Sequence, residues 1–133
     1  MSRILDDVPQ MSEWMANALR SSGYSADYTF ASLAEIDRFI DDNSSPGAAH
    51  PNGLLAEGLG MKLFALGAYV GETIRRRAGG TWQANDDDPE GEINAALVMP
   101  NGSMIWPVQR ILKRYTEGRE AGISAYGAAL GLD

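Results

Sequence analysis

Residues 54–77, LLAEGLGMKLFALGAYVGETIRRR, decide the fold. Leu54, Leu55, Leu59, Met61, Leu63, Phe64, Leu66, Tyr69, Val70 and Ile74 recur at helical spacing and leave little polar surface, which predicts a long helix buried on most of its sides. Gly60, Gly67 and Gly71 interrupt that pattern. Each costs a helix interior about 1 kcal/mol relative to alanine, so the close approach of another element has to compensate. Their spacings of 7 and 4 residues keep them on one side, as a packing seam requires. Arg75, Arg76 and Arg77 fall in the last turn, where positive charge complements the helix dipole, and Gly79-Gly80 stops the helix.

Two shorter amphipathic helices are expected on the N-terminal side. Val8, Met11, Trp14, Met15, Ala18 and Leu19 give the first, over Val8–Ser21, with Asp7 and Gln10 as its cap and Gly23 as its stop. In the second, Ser32 and Glu35 read as a capping box ahead of the stripe Leu33, Ile36, Phe39 and Ile40. Residues 43–53, rich in Ser, Pro, Gly and Ala, read as an exposed loop.

Beyond Gly80 the period changes from helical to alternating. Residues 81–84 and 93–98 read as strands, and Met99-Pro100-Asn101-Gly102-Ser103 as a type I turn with a glycine bulge that returns the chain into a third strand at Met104–Trp106. Pro107 suits the first position of a helix carrying Val108, Ile111, Leu112 and Tyr115 up to Gly118, and a last short helix carries Ile123, Tyr126 and Leu130. The fold expected is a single α+β domain over residues 1–133, with helices packed on one face of a small antiparallel three-stranded β-meander and a long buried central helix.

Composition supports a self-sufficient core: 133 residues, 44% hydrophobic and 22% charged. The absence of cysteine excludes disulfides, thiolate zinc sites and cysteine nucleophiles. The acidic N-terminal stretch broken by Pro9 does not suit a signal peptide and no apolar run suits a span, so a cytoplasmic location without membrane association is expected. A formal charge of -7 opposes binding to nucleic acid.

Few residues suggest chemistry. With Asp86 as position one of a calcium loop, Asp88, Glu90, Gly91 and Asn94 fall at plausible positions, but Leu97 stands where the closing carboxylate is needed. Neither a metal nor a cofactor is expected. His50, the only histidine, reads as a loop residue beside Pro51, and Glu57 is too far along the helix to pair with Glu72. Glu72 is either a partly buried acid or base, or the partner of Arg75 or Arg76 at helical spacing, which is the simpler account. Trp14, Trp82 and Trp106 read as core residues, and Arg110, Lys113 and Arg114 as a solvated basic face.

The segments Asp27-Tyr28-Thr29-Phe30-Ala31-Ser32-Leu33 with Ile36-Asp37, Leu66-Gly67-Ala68-Tyr69-Val70-Gly71-Glu72, and Gly80-Thr81-Trp82 resemble an arrangement in a family of small uncharacterised bacterial proteins, a domain of unknown function. The resemblance implies a bacterial cytosolic α+β fold and carries no established activity. The function expected is a non-catalytic protein-interaction or accessory domain, monomeric or homodimeric, that meets a protein partner through the acidic loop at Asp86–Asp88 and the arginine-bearing helix ends. The alternative is a small-molecule-binding or hydrolytic enzyme with Tyr69, Glu72, Arg76 and Trp82 around one pocket.

Overall fold

A computed structural model describes residues 2–133. It comprises α1 (Arg3–Ser21), α2 (Phe30–Asn43), β1 (Ser44–Ser45), β2 (Ala48–Ala49), α3 (Leu59–Ala78), β3 (Thr81–Gln83), β4 (Ala96–Val98), β5 (Met104–Ile105), α4 (Pro107–Glu117), a 3₁₀ turn (Arg119–Ala121) and α5 (Ile123–Ala129). The architecture is α+β. Among the described residues no helix is long and apolar enough to cross a membrane.

Several boundaries differ from the sequence reading, each for a local reason. α1 opens at Arg3 rather than Val8, because its free amides are satisfied from two sides. The Ser2 hydroxyl accepts from Leu5 N at 3.2 Å, and Asp86 accepts from Arg3 N at 2.5 Å and Ile4 N at 3.1 Å. Asp7 lies inside the helix and pairs with Arg3 at 3.6 Å. α2 is capped by Thr29, whose hydroxyl accepts from Ser32 N at 3.3 Å, so Ser32 is a buried residue of the first turn and not the cap. Part of the expected loop is a small hairpin, with β1 and β2 paired antiparallel around Pro46-Gly47.

α3 starts at Leu59 instead of Leu54, because Gly58 turns left-handed at φ 62° and its carbonyl accepts from Lys62 N at 3.0 Å. Leu54, left outside the helix, is exposed, and so is Met61 in its first turn. From Leu63 to Ile74 every residue of α3 is buried, and the helix packs chiefly against α1 and α4. A Cβ on Gly67 would stand 2.6 Å from the Val108 Cα in α4, and one on Gly71 would stand 2.2 Å from the Trp82 ring in β3. Gly60 meets nothing within 4 Å and is not part of that seam.

The three-stranded sheet runs β3-β4-β5, antiparallel throughout, with Trp82 opposite Leu97 and Leu97 opposite Ile105. These three side chains share the face that packs on the core, while Met104 and Trp106 alternate outward. The bulged turn follows its glycine: Gly102 has φ 88°, and Met99 N donates to Ser103 O at 2.8 Å. Ile93–Ala95, expected in the second strand, lie in the turn before β4.

Trp14 and Trp106 are 43% and 40% exposed, which corrects their expected place in the core. Trp14 falls outside the arc of α1 that buries Ile4, Val8, Met15 and Leu19, and Trp106 follows the outward register of Met104. Trp82 alone is drawn inward, into the space left by Gly71.

Replacing Gly71 by alanine is expected to destabilise the fold by about 1–3 kcal/mol through overpacking against Trp82. Gly60→Ala, which meets open space, should be neutral or stabilise by up to about 1 kcal/mol. Urea unfolding of the two variants checks the contrast.

Candidate functional site

The four residues singled out from the sequence fall into two clusters that share α3. In the first, Trp82 Nε1 donates to Glu72 Oε2 at 2.9 Å, while Arg75 donates from Nε to the same oxygen at 2.6 Å and from Nη2 to Oε1 at 3.1 Å. Glu72 is 4% exposed. Burial alone would raise its pKa, but the hydrogen bonds from Arg75 and Trp82 and the charges of Arg75 and Arg76 outweigh it and hold the group below its ordinary value. Glu72 is thus an ionised acceptor of three hydrogen bonds from Arg75 and Trp82, in line with the ion-pair account.

The second cluster is built on Tyr69, which has no exposed surface. Its hydroxyl donates to Ser32 Oγ at 2.7 Å and accepts from Tyr28 N at 3.0 Å; Ser32 passes the chain on to Thr29 O at 2.6 Å. Tyr28 holds a left-handed backbone, φ 61°, unusual for a residue with a side chain. Its ring lies 4.8 Å from that of Tyr69, and its hydroxyl donates to Glu13 at 2.9 Å. The Arg76 guanidinium sits 3.5 Å above the Tyr28 ring centroid and 3.6 Å from Glu13. Tyr69 therefore points to the start of α2, Glu72 to β3, and Arg76 back to α1. Among the described residues, five of the surface clefts are lined by other residues.

Several residues of the two surfaces favoured from the sequence as contact surfaces also make hydrogen bonds or ring contacts within the molecule. Asp86 accepts the amides of α1, and Asp88 accepts from Glu90 N at 2.9 Å and Asn94 Nδ2 at 2.8 Å; these hydrogen bonds lower both carboxyl pKa values. Leu97, at the position where a calcium loop closes, is buried. Among the described residues no group of three His, Asp or Glu side chains is placed to hold a metal ion. Of the arginines ending α3, Arg75 is bound to Glu72 and Arg76 lies on Tyr28, while Arg77 reaches Leu132 O at 3.4 Å.

Sequence reasoning missed two features. Arg114, read as part of a solvated face, is 2% exposed. It donates to Asp37 Oδ1 at 2.8 Å and Asp41 Oδ1 at 2.7 Å, and Asp37 also accepts from Ile123 N and Ser124 N at 2.9 Å, so one carboxylate joins α2, α4 and the start of α5. The only signal was Asp37 and Asp41 four residues apart, on one face of α2. The second is an apolar groove of about 190 Å³ between α1 and α2. Trp14 and Leu54 form its rim, Met15, Leu19 and Phe39 its floor, and Lys62 closes one side by donating to Leu54 O at 2.6 Å.

Comparison with family models, with curated proteins and with solved structures finds no match to this chain.

Tyr69→Phe leaves the Tyr28 amide without its buried acceptor and should cost about 1–3 kcal/mol in urea unfolding. A second prediction concerns acid. Because the folded-state pKa of Glu72 is lowered, its contribution is complete above the unfolded value, about 4.3, and disappears as pH falls through the folded value. The stability gap between the native chain and Glu72→Gln should accordingly be widest near neutral pH and close toward acid, as read from unfolding midpoints across that range.

Proposed function

We propose that this chain is a non-catalytic protein-interaction domain, and that its groove between α1 and α2 receives a basic, amphipathic segment of a partner protein. The observation that carries this reading is the exposure of Trp14, 43%, and Leu54, 46%, on either side of an apolar floor. Large side chains left in water next to a concave apolar surface are the usual anchors of a protein contact, with tryptophan foremost. At about 190 Å³ the groove is smaller than the pockets that enclose whole small molecules but takes one or two apolar side chains from a partner.

Charge selects the partner's chemistry. The chain as a whole carries -7, and Lys62, the charged side chain at the groove, is spent on Leu54 O. That net charge draws basic segments toward the molecule and repels acidic ones. The unbroken burial of Leu63–Ile74 supports taking α3 as the long helix about which the domain is built, with the outward sides of α1 and α2 left for binding.

Trp14→Ala and Leu54→Ala should each leave the melting temperature close to that of the native chain, since both side chains are exposed. Each should also abolish capture of a partner whose crosslinks map to Trp14 and whose crosslinked segment is basic and apolar, and added salt should weaken that capture. Retention of the partner by both variants would overturn the reading. So would a concentration-dependent dimer that Trp14→Ala dissolves, because the groove would then be filled by a second copy.

A further inference from the structure

We infer that the cleft between β5, α4 and α5 binds small anions that carry a flat ring. Eleven lysines and arginines are present, and among the described residues every one except Arg110 and Lys113 reaches a protein acceptor by ion pair or hydrogen bond. The two without one line the same cleft, of about 480 Å³.

Arg110 adds a second observation. Its Nε is the one buried side-chain polar atom, among the described residues, that has no hydrogen-bond partner. The residue as a whole is half-buried, but a buried N–H without an acceptor is costly, and the Tyr126 ring, 4.8 Å from the guanidinium, replaces only part of what is lost. An anion on the guanidinium from the cleft side supplies the missing counter-charge.

The walls define what accompanies that charge. Trp106 and Met104 are 40% and 41% exposed and stand on the outward face of the sheet, where they offer a flat apolar surface beside the two cations. Trp106, Arg110, Lys113 and Glu117 follow one another at intervals of 4, 3 and 4 residues, so one face of α4 presents ring, cation, cation and carboxylate in order. Glu117 repels an anion at the far end and places the ligand's charge at Arg110 and Lys113, with its ring toward Trp106. The cleft's volume falls within the range of small-molecule sites. This site shares no residue with the groove at Trp14, so the two readings stand or fall separately.

Calorimetric titration of the whole chain with inorganic phosphate, a nucleoside monophosphate, an indole carboxylate and neutral indole provides the test. Saturable binding of either ring-bearing anion, tighter than that of phosphate or neutral indole, is expected. The preferred arm tells whether a phosphate or a carboxylate is the natural head group. The double substitution Arg110→Gln, Lys113→Gln should weaken binding at least about tenfold, and Trp106→Ala should remove the advantage of a ring while leaving phosphate binding unchanged. Lys113→Gln alone, at an exposed position, and Arg110→Lys, which keeps the charge, guard against a folding defect and should fall between native and double variant. No saturable binding of any anion at millimolar concentration, or binding that survives the double substitution, would overturn the inference; equal affinity for phosphate and ring-bearing anions would overturn its ring component.

Discussion

Because Gly67 and Gly71 present bare backbone on one side of α3, α4 and the ring of Trp82 approach to where a Cβ would stand 2.6 and 2.2 Å from their atoms. That closeness has consequences well beyond the contact. At Gly67 it sets the depth of α4, whose Val108 joins Ile4, Val8, Phe64 and Ala68 in a small cluster between α1, α3 and α4. At Gly71 it admits Trp82 far enough for its indole N–H to meet Glu72, which ties the sheet to the helices. Pro107 also lies near Gly71, its Cγ 3.1 Å from a Cβ there, so the junction from sheet to α4 rests on the same spot. A methyl group at either glycine would shift the half of the chain that follows α3.

Around this seam the buried polar groups are satisfied by neighbours distant in sequence. Tyr69 joins α3 to the start of α2, Glu72 joins it to β3, and Asp37 joins α2 to α4 and α5. Removing one member of such a pair leaves the other buried and unpaired, which costs more than the pair contributes in net stability. These groups therefore specify how the elements meet: Glu72 accepts from two residues on two elements, and the Tyr69 hydroxyl donates to one residue and accepts from another.

What could be read from the sequence follows the range of the interaction involved. Periodicity located five helices and three strands, since helix and strand spacing are local properties, and Gly67 and Gly71 announced a close contact because glycine in a buried helix needs a reason. The start of α1 was misplaced because part of its cap comes from elsewhere: Asp86 holds the amides of Arg3 and Ile4, and no local rule connects residues so far apart in the chain. α2 and α3, by contrast, are capped locally, at Thr29 and Gly58, by residues the pattern of apolar positions passed over. The same limit hid the burial of Arg114, whose partners sit on α2. Trp14 and Trp106 were assigned to the core on residue type, but the face a side chain takes depends on which arc of its helix or which register of its strand is covered. Of the candidate site, sequence identified Glu72 and Trp82 as neighbours and gave no hint that Arg76 turns toward Tyr28 instead.

Arg110 and Arg114, one turn apart on α4, show how placement and not composition governs the fate of a charge. With 18 carboxylates to 11 cations, acceptors are in excess throughout the chain. Arg114 faces α2, where Asp37 and Asp41 repeat at the spacing that puts two carboxylates on one side of a helix, and it is bound by both. Arg110 lies on the side of α4 toward α5 and the outer face of the sheet, where the nearest flat surface is the Tyr126 ring. Lys113 continues that side, and Glu117, at the helix end, lies within the same cleft. Among the described residues, an acidic fold that pairs its other lysines and arginines internally thus leaves Arg110 and Lys113 together on one stripe of one helix, next to the exposed Trp106, and the electrostatic character of that stripe is opposite to the net charge of the molecule that carries it.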